Sequence, residues 1–92
     1  MLESPAPVPF DHVISTEFDQ GEGVLVDLNS KQYYQLNETA MLVWTSLERH
    51  ETLPKIINKL VETYEVSSDH AAASIDKILK DFETQRLVHS KA

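Results

Sequence analysis

The spacing of apolar residues changes at Asn37, and this change limits the possible folds more than any other feature of the sequence. Before Asn37, apolar and polar residues alternate in short stretches, which is typical of strands. After it, apolar residues recur every three or four positions, which is typical of amphipathic helices. Because strands come first and helices follow, the pattern predicts an α+β fold with the order βββααα.

Three short antiparallel strands are predicted before the change. The first covers residues 12–18 and is followed by a turn at residues 19–23, which holds both glycines of the chain. In the second strand, alternation separates two faces, and we expect the core to meet the face that carries Val24, Val26 and Leu28. The third strand covers residues 32–36, with Tyr34 and Leu36 on one face and Tyr33 and Gln35 on the other.

Three helices are predicted from caps and apolar periodicity. Asn37 caps the first, which runs to about Glu48, and Thr52 caps the second. Either Ser67 or Ser68 caps the third, which ends before Leu87. The inward-facing residues of the third helix are predicted to be Ala72, Ile75, Ile78, Leu79 and Phe82.

The length of 92 residues suits one domain with one modest core. Three prolines between residues 5 and 9 remove amide donors and oppose a helix, so residues 1–11 are predicted to form a flexible, proline-rich arm. Residues 12–88 then form the folded domain and residues 89–92 a tail. No long apolar segment points to a membrane and no basic start precedes an apolar stretch, so we expect a cytoplasmic protein.

Charge and residue types argue against several functions. Eight Lys plus Arg against fifteen Asp plus Glu give a formal net charge of -7, which repels nucleic-acid phosphates. The chain has no cysteine, which excludes thiolate nucleophiles and Cys-based metal sites. The four histidines lack the spacing of metal ligands, since they are far apart in sequence: His12, His50, His70 and His89. The serines lack the strained, glycine-flanked turn that holds a catalytic nucleophile. We therefore predict no catalytic residue, no metal and no cofactor, and a protein that is not an enzyme.

One segment is distinctive enough to indicate a family. It covers residues 24–40, and its strand-to-helix part reads Tyr33-Tyr34-Gln35-Leu36-Asn37-Glu38-Thr39-Ala40. Trp44 follows on the same helix, and the similarity continues through residues 52–57 and the alanine-rich third helix, covering about residues 21–88. These residues resemble the PqqD-like family, the precursor-peptide recognition elements of pathways that make ribosomally synthesised and post-translationally modified peptides (RiPPs).

The resemblance implies a winged helix-turn-helix fold and a non-catalytic protein. Such a protein binds the leader segment of a precursor peptide and presents it to a modifying enzyme or leader peptidase. The chain departs from members dedicated to pyrroloquinoline quinone biosynthesis, because it lacks an Arg-Gly-rich first strand and has residues 27–30 where those members have a Tyr-Pro-Glu-Gly turn. It is more similar to the stand-alone recognition proteins of lasso-peptide and other RiPP pathways.

The predicted binding site combines the third strand with the third helix. In a three-strand meander the third strand can lie at an edge, where unpaired backbone groups accept another strand. The strand residues predicted to bind the peptide are Lys31, Gln32, Tyr33, Tyr34, Gln35 and Leu36. The helix residues predicted to wall the groove are Ala72, Ile75, Asp76, Leu79, Lys80 and Glu83. Either Tyr33 or Tyr34 can be the aromatic at the rim.

Two other functions fit a fold of this kind. A winged helix-turn-helix regulator reads DNA with its last helix, but here that helix begins with Asp69 and three alanines, which offer little to phosphates or bases. An adaptor docks on a partner enzyme through exposed apolar residues and needs no free strand edge. Adaptor and peptide-binding roles are compatible, since a presented peptide must reach its enzyme.

Overall fold

The computed structural model of the protein describes residues 6–89. Its strands are β1 (Val8–Pro9), β2 (Val13–Glu17), β3 (Gly23–Asp27), β4 (Gln32–Leu36) and β5 (Val88–His89). Between β4 and β5 lie the helices α1 (Glu38–Glu48), α2 (Leu53–Tyr64) and α3 (Ser68–Thr84). The three predicted strands correspond to β2, β3 and β4, so the predicted α+β fold with three antiparallel strands before three helices is confirmed.

The three longer strands form one antiparallel sheet in the order β2-β3-β4. The turn between β3 and β4 is built on Asp27, whose Oδ1 accepts hydrogen bonds from the backbone N–H of Asn29 at 2.9 Å and of Ser30 at 3.2 Å. The carbonyl of Asp27 also accepts a bond from the N–H of Lys31 at 2.7 Å. Lys31 has a left-handed backbone with φ of 64°, which turns the chain into β4.

Each helix begins at a polar cap that the sequence predicted. The side chains of Asn37, Thr52 and Ser67 each accept a hydrogen bond from the N–H three residues later, at 2.8, 3.3 and 3.1 Å. Pro54 lies in the first turn of α2, where a missing N–H leaves no bond unmade. Of the two serines considered for α3, Ser67 is the cap.

The core lies between the sheet and the helices. Trp44 of α1 is fully buried and meets Phe82 of α3 edge to face, with ring centroids 5.3 Å apart and planes at 87°. Leu25 reaches this core from the middle strand. The buried apolar residues are Val13, Leu25, Leu36, Met41, Val43, Trp44, Leu47, Leu53, Ile56, Leu60, Ala71, Ile75, Leu79, Phe82, Leu87 and Val88.

The predicted orientation of the middle strand is wrong. Gly23, Leu25 and Asp27 are buried, whereas Val24 and Val26 are half-buried and Leu28 beyond the strand is 48% exposed. Alternation correctly separates the two faces of the strand. Because both faces carry apolar residues, hydrophobicity alone does not show which face is buried. Register places the exposed Ile14 and Tyr33 on the same outer face as Val26.

Two very short strands were not predicted. β1 pairs with β5, with Val8 opposite His89 and Pro9 opposite Val88. The ring of Phe10 lies 5.1 Å from that of His12 and 4.7 Å from that of His89, between centroids. Part of the predicted arm is therefore extended and paired, while residues 1–5 and 90–92 lie outside the described residues. The flexibility of the arm stays a prediction.

We expect Gly23→Ala to lower the free energy of unfolding by about 1–3 kcal/mol. A Cβ at this position would lie 2.5 Å from Met41 Sδ and 2.6 Å from the Thr16 carbonyl oxygen, so strand and helix must separate. Urea denaturation measures the change, with the exposed neighbour Glu22→Ala as the control expected to stay within about 0.5 kcal/mol. Equal stability of the two variants would show that α1 does not need this close approach.

Candidate functional site

β4 lies at an edge of the sheet, and the hydrogen-bond ladder shows which of its groups are unpaired. In an antiparallel sheet, the residues of a middle strand bond alternately to its two neighbours. The N–H of Phe18 donates to the carbonyl of Glu22 at 2.6 Å, and the N–H of Leu28 donates to the carbonyl of His12 at 2.9 Å. Even-numbered residues along β3 therefore bond to β2, and odd-numbered residues bond to β4.

The register then orients the backbone of β4. The odd-numbered residues of β3 lie opposite Gln32, Tyr34 and Leu36, so these three residues bond to β3. The N–H and C=O groups of Tyr33 and Gln35 point away from the sheet. Within residues 6–89 neither residue makes a backbone hydrogen bond outside the ladder. The edge of β4 is thus open to another strand.

The opposite edge of the sheet, formed by β2, is partly covered. The N–H of Val13 points away from β3 and donates to the carbonyl of Phe10 at 3.1 Å. The hydroxyl of Ser15 donates to a carboxylate oxygen of Glu48 in α1 at 3.2 Å. The first contact occupies a backbone donor that an added strand would need, so β4 is the better edge for strand addition.

A cleft of about 490 Å³ begins at the end of β4 and runs along α3. Its lining residues are Gln35, Leu36, Asn37, Thr39, Ala40, Ser74, Lys77, Ile78, Asp81, Phe82 and Gln85. On α3 these form two rows at helical spacing. An inner row of Ser74, Ile78 and Phe82 lies nearer the core, and an outer row of Lys77, Asp81 and Gln85 is exposed.

The predicted strand residues take different positions around this cleft. Gln35 and Leu36 line it. Lys31 lies in the turn and Gln32 is exposed at the start of β4. Tyr34 packs against the core, and Tyr33 is 73% exposed on the outer face of the sheet; neither tyrosine lines the cleft. Lys31, Gln32, Tyr33 and Tyr34 remain predicted contacts of an added strand. Of these, Tyr33 points its backbone N–H and C=O away from the sheet, whereas the backbone groups of Gln32 and Tyr34 bond to β3.

The predicted helix residues do not line this cleft, and their contact with a peptide stays a prediction. Ile75 and Leu79 are buried in the core, and Ala72 and Glu83 are outside the cleft lining. Asp76 and Lys80 lie on the neighbouring flank and pair with each other at 3.3 Å. The apolar stripe in the sequence predicts which side of α3 faces the core. Which flank of α3 faces β4 depends on how α3 packs against α1.

The sequence does not single out three polar residues of α3 that line the cleft, namely Ser74, Asp81 and Gln85. Lys77, which the sequence offers together with Lys80 as a partner for acidic leader residues, also lines it. Ile78 gives one usable signal, because helical periodicity places it at the edge of the apolar stripe, and in the structure it is half-buried while Ile75 and Leu79 are buried. An apolar residue displaced from the main stripe indicates a second apolar surface next to it.

The residues described, 6–89, contain no group of three or more His, Asp or Glu side chains that could hold a metal ion. In the same range no helix is long and apolar enough to cross a membrane.

Asp27 anchors the turn before β4, and the pKa of its carboxyl is lowered by that turn. The N–H of Ser30 holds the pKa of this carboxyl below its usual value, against the opposing effect of burial, and the N–H of Asn29 and the nearby His12 act in the same direction as Ser30.

The family model for coenzyme PQQ synthesis protein D (PqqD) matches residues 22–88. The chain belongs to the PqqD family. The match covers β3, β4 and all three helices, so the edge strand and the cleft both lie inside the family domain. The resemblance inferred from residues 24–40 is confirmed. No curated protein matches the chain.

Two solved structures share the fold of this PqqD-family protein. The complex of TbiB1 with the TbiA(beta) leader peptide has a TM-score of 0.84 at 22% identity, covering 92% of this chain and 98% of that chain. Lasso peptide synthetase B1 complexed with the leader peptide has a TM-score of 0.75 at 24% identity, covering 87% and 92%. Nearly the whole of each protein is therefore folded in the same way as this chain.

We expect the stability of the protein to fall in acid partly through Asp27. Because the pKa of Asp27 in the folded state lies below its ordinary value of 3.8, the ionised carboxylate stabilises the fold above that pH. This contribution is lost as the pH falls through the lower folded pKa. Urea titrations between about pH 6 and about pH 2.5 measure it.

Asp27→Asn is the matched variant, since it keeps a side-chain oxygen for the turn but removes the charge. Wild type should be the more stable at pH 6, and the two proteins should converge in acid. If the free energies of unfolding of the two proteins differ by the same amount across this pH range, the charge of Asp27 does not stabilise the turn.

Proposed function

We propose that this protein is a non-catalytic peptide-binding protein that recognises the leader segment of a ribosomally synthesised precursor. The leader adds as a strand to β4, and the protein presents the precursor to a modifying enzyme or leader peptidase. The observation that carries the proposal is the open edge of β4, where the backbone groups of Tyr33 and Gln35 point outward beside a cleft with an apolar floor. Membership of the PqqD family supports it.

The edge supplies affinity through the backbone. Tyr33 and Gln35 together present two N–H donors and two C=O acceptors, which is enough for a short antiparallel or parallel pairing with a peptide. From Ser74 to Gln85, α3 rises about 16 Å along the cleft. At about 3.3 Å per extended residue, this length accommodates about five residues of a leader.

The cleft supplies specificity through side chains. In an added strand, every second side chain points towards α3 and meets Leu36, Ile78 and Phe82, which form an apolar floor. The alternate side chains point to the outer face beside Tyr33. A leader with apolar residues at alternate positions therefore fits the cleft, since burying each of them removes apolar surface from water.

The role of presenting the peptide follows from the shape of the site. A strand added to β4 stays exposed along its other edge and at both ends, so an enzyme can reach the segment that follows it. We infer a pathway of the lasso-peptide or related RiPP type, because one structural neighbour is a lasso peptide synthetase B1 bound to a leader peptide. In this proposal the protein works in the cytoplasm, with no cofactor and no catalysis of its own.

No observation favours DNA binding. The first turn of α3 carries Asp69 and no Lys or Arg, and the net charge of -7 opposes approach to phosphates. The lysines of α3 are Lys77 and Lys80, which lie beyond the helix start that a winged helix places in the major groove.

We expect Gln35→Pro to weaken leader binding by about tenfold, because it deletes one outward N–H and leaves the β3–β4 ladder intact. Gln35→Ala keeps that N–H and should lose distinctly less. The affinity is measured by calorimetry with synthetic leader peptides from short open reading frames beside the gene, with a scrambled peptide as reference. Equal effects of the two variants would mean that the backbone of β4 does not bind the peptide.

We also expect Ile78→Asp to reduce affinity by at least about tenfold, since a charge in the apolar floor must lose water when the peptide binds. Ile14→Asp makes the same change on the outer face of the sheet, away from the cleft, and should bind normally. Amide NMR shifts confined to β4 and the cleft-lining flank of α3 are expected with peptide. Shifts with duplex DNA alone would replace this proposal by the regulatory one.

A further inference from the structure

The charged residues of α3 differ between its two exposed flanks. Asp76 and Lys80 are four residues apart and form an ion pair at 3.3 Å. Lys77 and Asp81 have the same spacing on the flank that lines the cleft, but within residues 6–89 neither forms an ion pair. Asp76 and Lys80 therefore neutralise each other within the helix, whereas the charges of Lys77 and Asp81 can interact with another molecule at the cleft.

The order of the charges gives a physical reason for this difference. An acidic residue four positions before a basic one is the favourable order on a helix, and the reverse order is weaker. Asp76 and Lys80 have the favourable order, whereas Lys77 and Asp81 have the reverse order. The two unpaired charges therefore cost the helix little if they bind another molecule.

The spacing of the two charges matches that of an extended peptide. Lys77 and Asp81 are separated by about 6 Å along the helix axis. Side chains on one face of a strand repeat every two residues, or about 6.6 Å. A strand lying along α3 can place one side chain near Lys77 and the next on that face near Asp81, with their stems on the apolar inner row.

We propose that Lys77 and Asp81 determine which peptides this protein accepts, by pairing with an acidic and a basic side chain two residues apart on the bound strand. This inference rests on the proposed function, since it requires a strand beside β4. The two charged side chains use inward-facing positions of the strand, so their stems, together with the remaining apolar side chains on that face, cover Leu36, Ile78 and Phe82. The order of the two charges along the peptide is fixed by the direction in which the strand runs.

The test is a selection on the full 92-residue chain from a displayed library of random peptides of about twelve residues, long enough to span the cleft. Wild type should enrich peptides with an acidic and a basic residue separated by one position, in one preferred order. The variant K77E/D81K should enrich the opposite order. The variant D76K/K80E reverses the neighbouring charges at the same spacing, and should enrich the wild-type order.

Affinities of the enriched peptide and its charge-swapped partner give the size of the effect. Exposed ion pairs are weak, so each pair should change Kd by about two- to fivefold, and the preference should shrink at about 1 M salt. A structural role of Lys77 or Asp81 would not invert the order of charges that is selected.

The outcomes separate this inference from the proposed function. Enrichment of peptides without a charge pattern, or a pattern unchanged in K77E/D81K, would overturn the role of Lys77 and Asp81 and leave strand addition standing. No enrichment of any peptide by wild type would overturn both.

Discussion

The contact between Trp44 and Phe82 positions the site, because it joins the helix that follows the sheet to the helix that faces its edge. Trp44 is fully buried in α1, and Phe82 both meets its ring edge to face and contributes to the cleft. Aromatic rings bury large apolar areas and prefer defined orientations, so this pair fixes the position of α3 as well as stabilising it. The distance between β4 and α3, and with it the width of the cleft, depends on that packing.

An open strand edge is normally a hazard, since it can recruit other chains and aggregate. This sheet treats its two edges differently. The Phe10 carbonyl accepts a hydrogen bond from the outward N–H of Val13 in β2, whereas within residues 6–89 the outward backbone groups of Tyr33 and Gln35 are unpaired. The net charge of -7 opposes self-association through the remaining edge. An edge that is kept open on one side only is consistent with a binding function for that side.

The outer face of the sheet is unusually apolar for a surface that the helices do not cover. Ile14, Phe18, Leu28 and Tyr33 are the exposed large hydrophobic residues of the described chain, and the register and ladder place all four on this face. The same apolar content explains why alternation selected the wrong face of β3 as the core face. The buried side is the one with Gly23, where the absence of a side chain lets Met41 approach the strand.

The sequence by itself determined the order of the elements, the helix caps and the family, because each depends on residues close together in the chain. Asn37, Thr52 and Ser67 cap helices through bonds spanning three residues, and the segment through Tyr33 and Tyr34 identifies the family. The tertiary structure alone decided which face of β3 is buried and which flank of α3 lines the cleft. These choices depend on contacts between elements that are distant in the sequence. Where a strand or helix is apolar on more than one side, local periodicity does not show which side is buried.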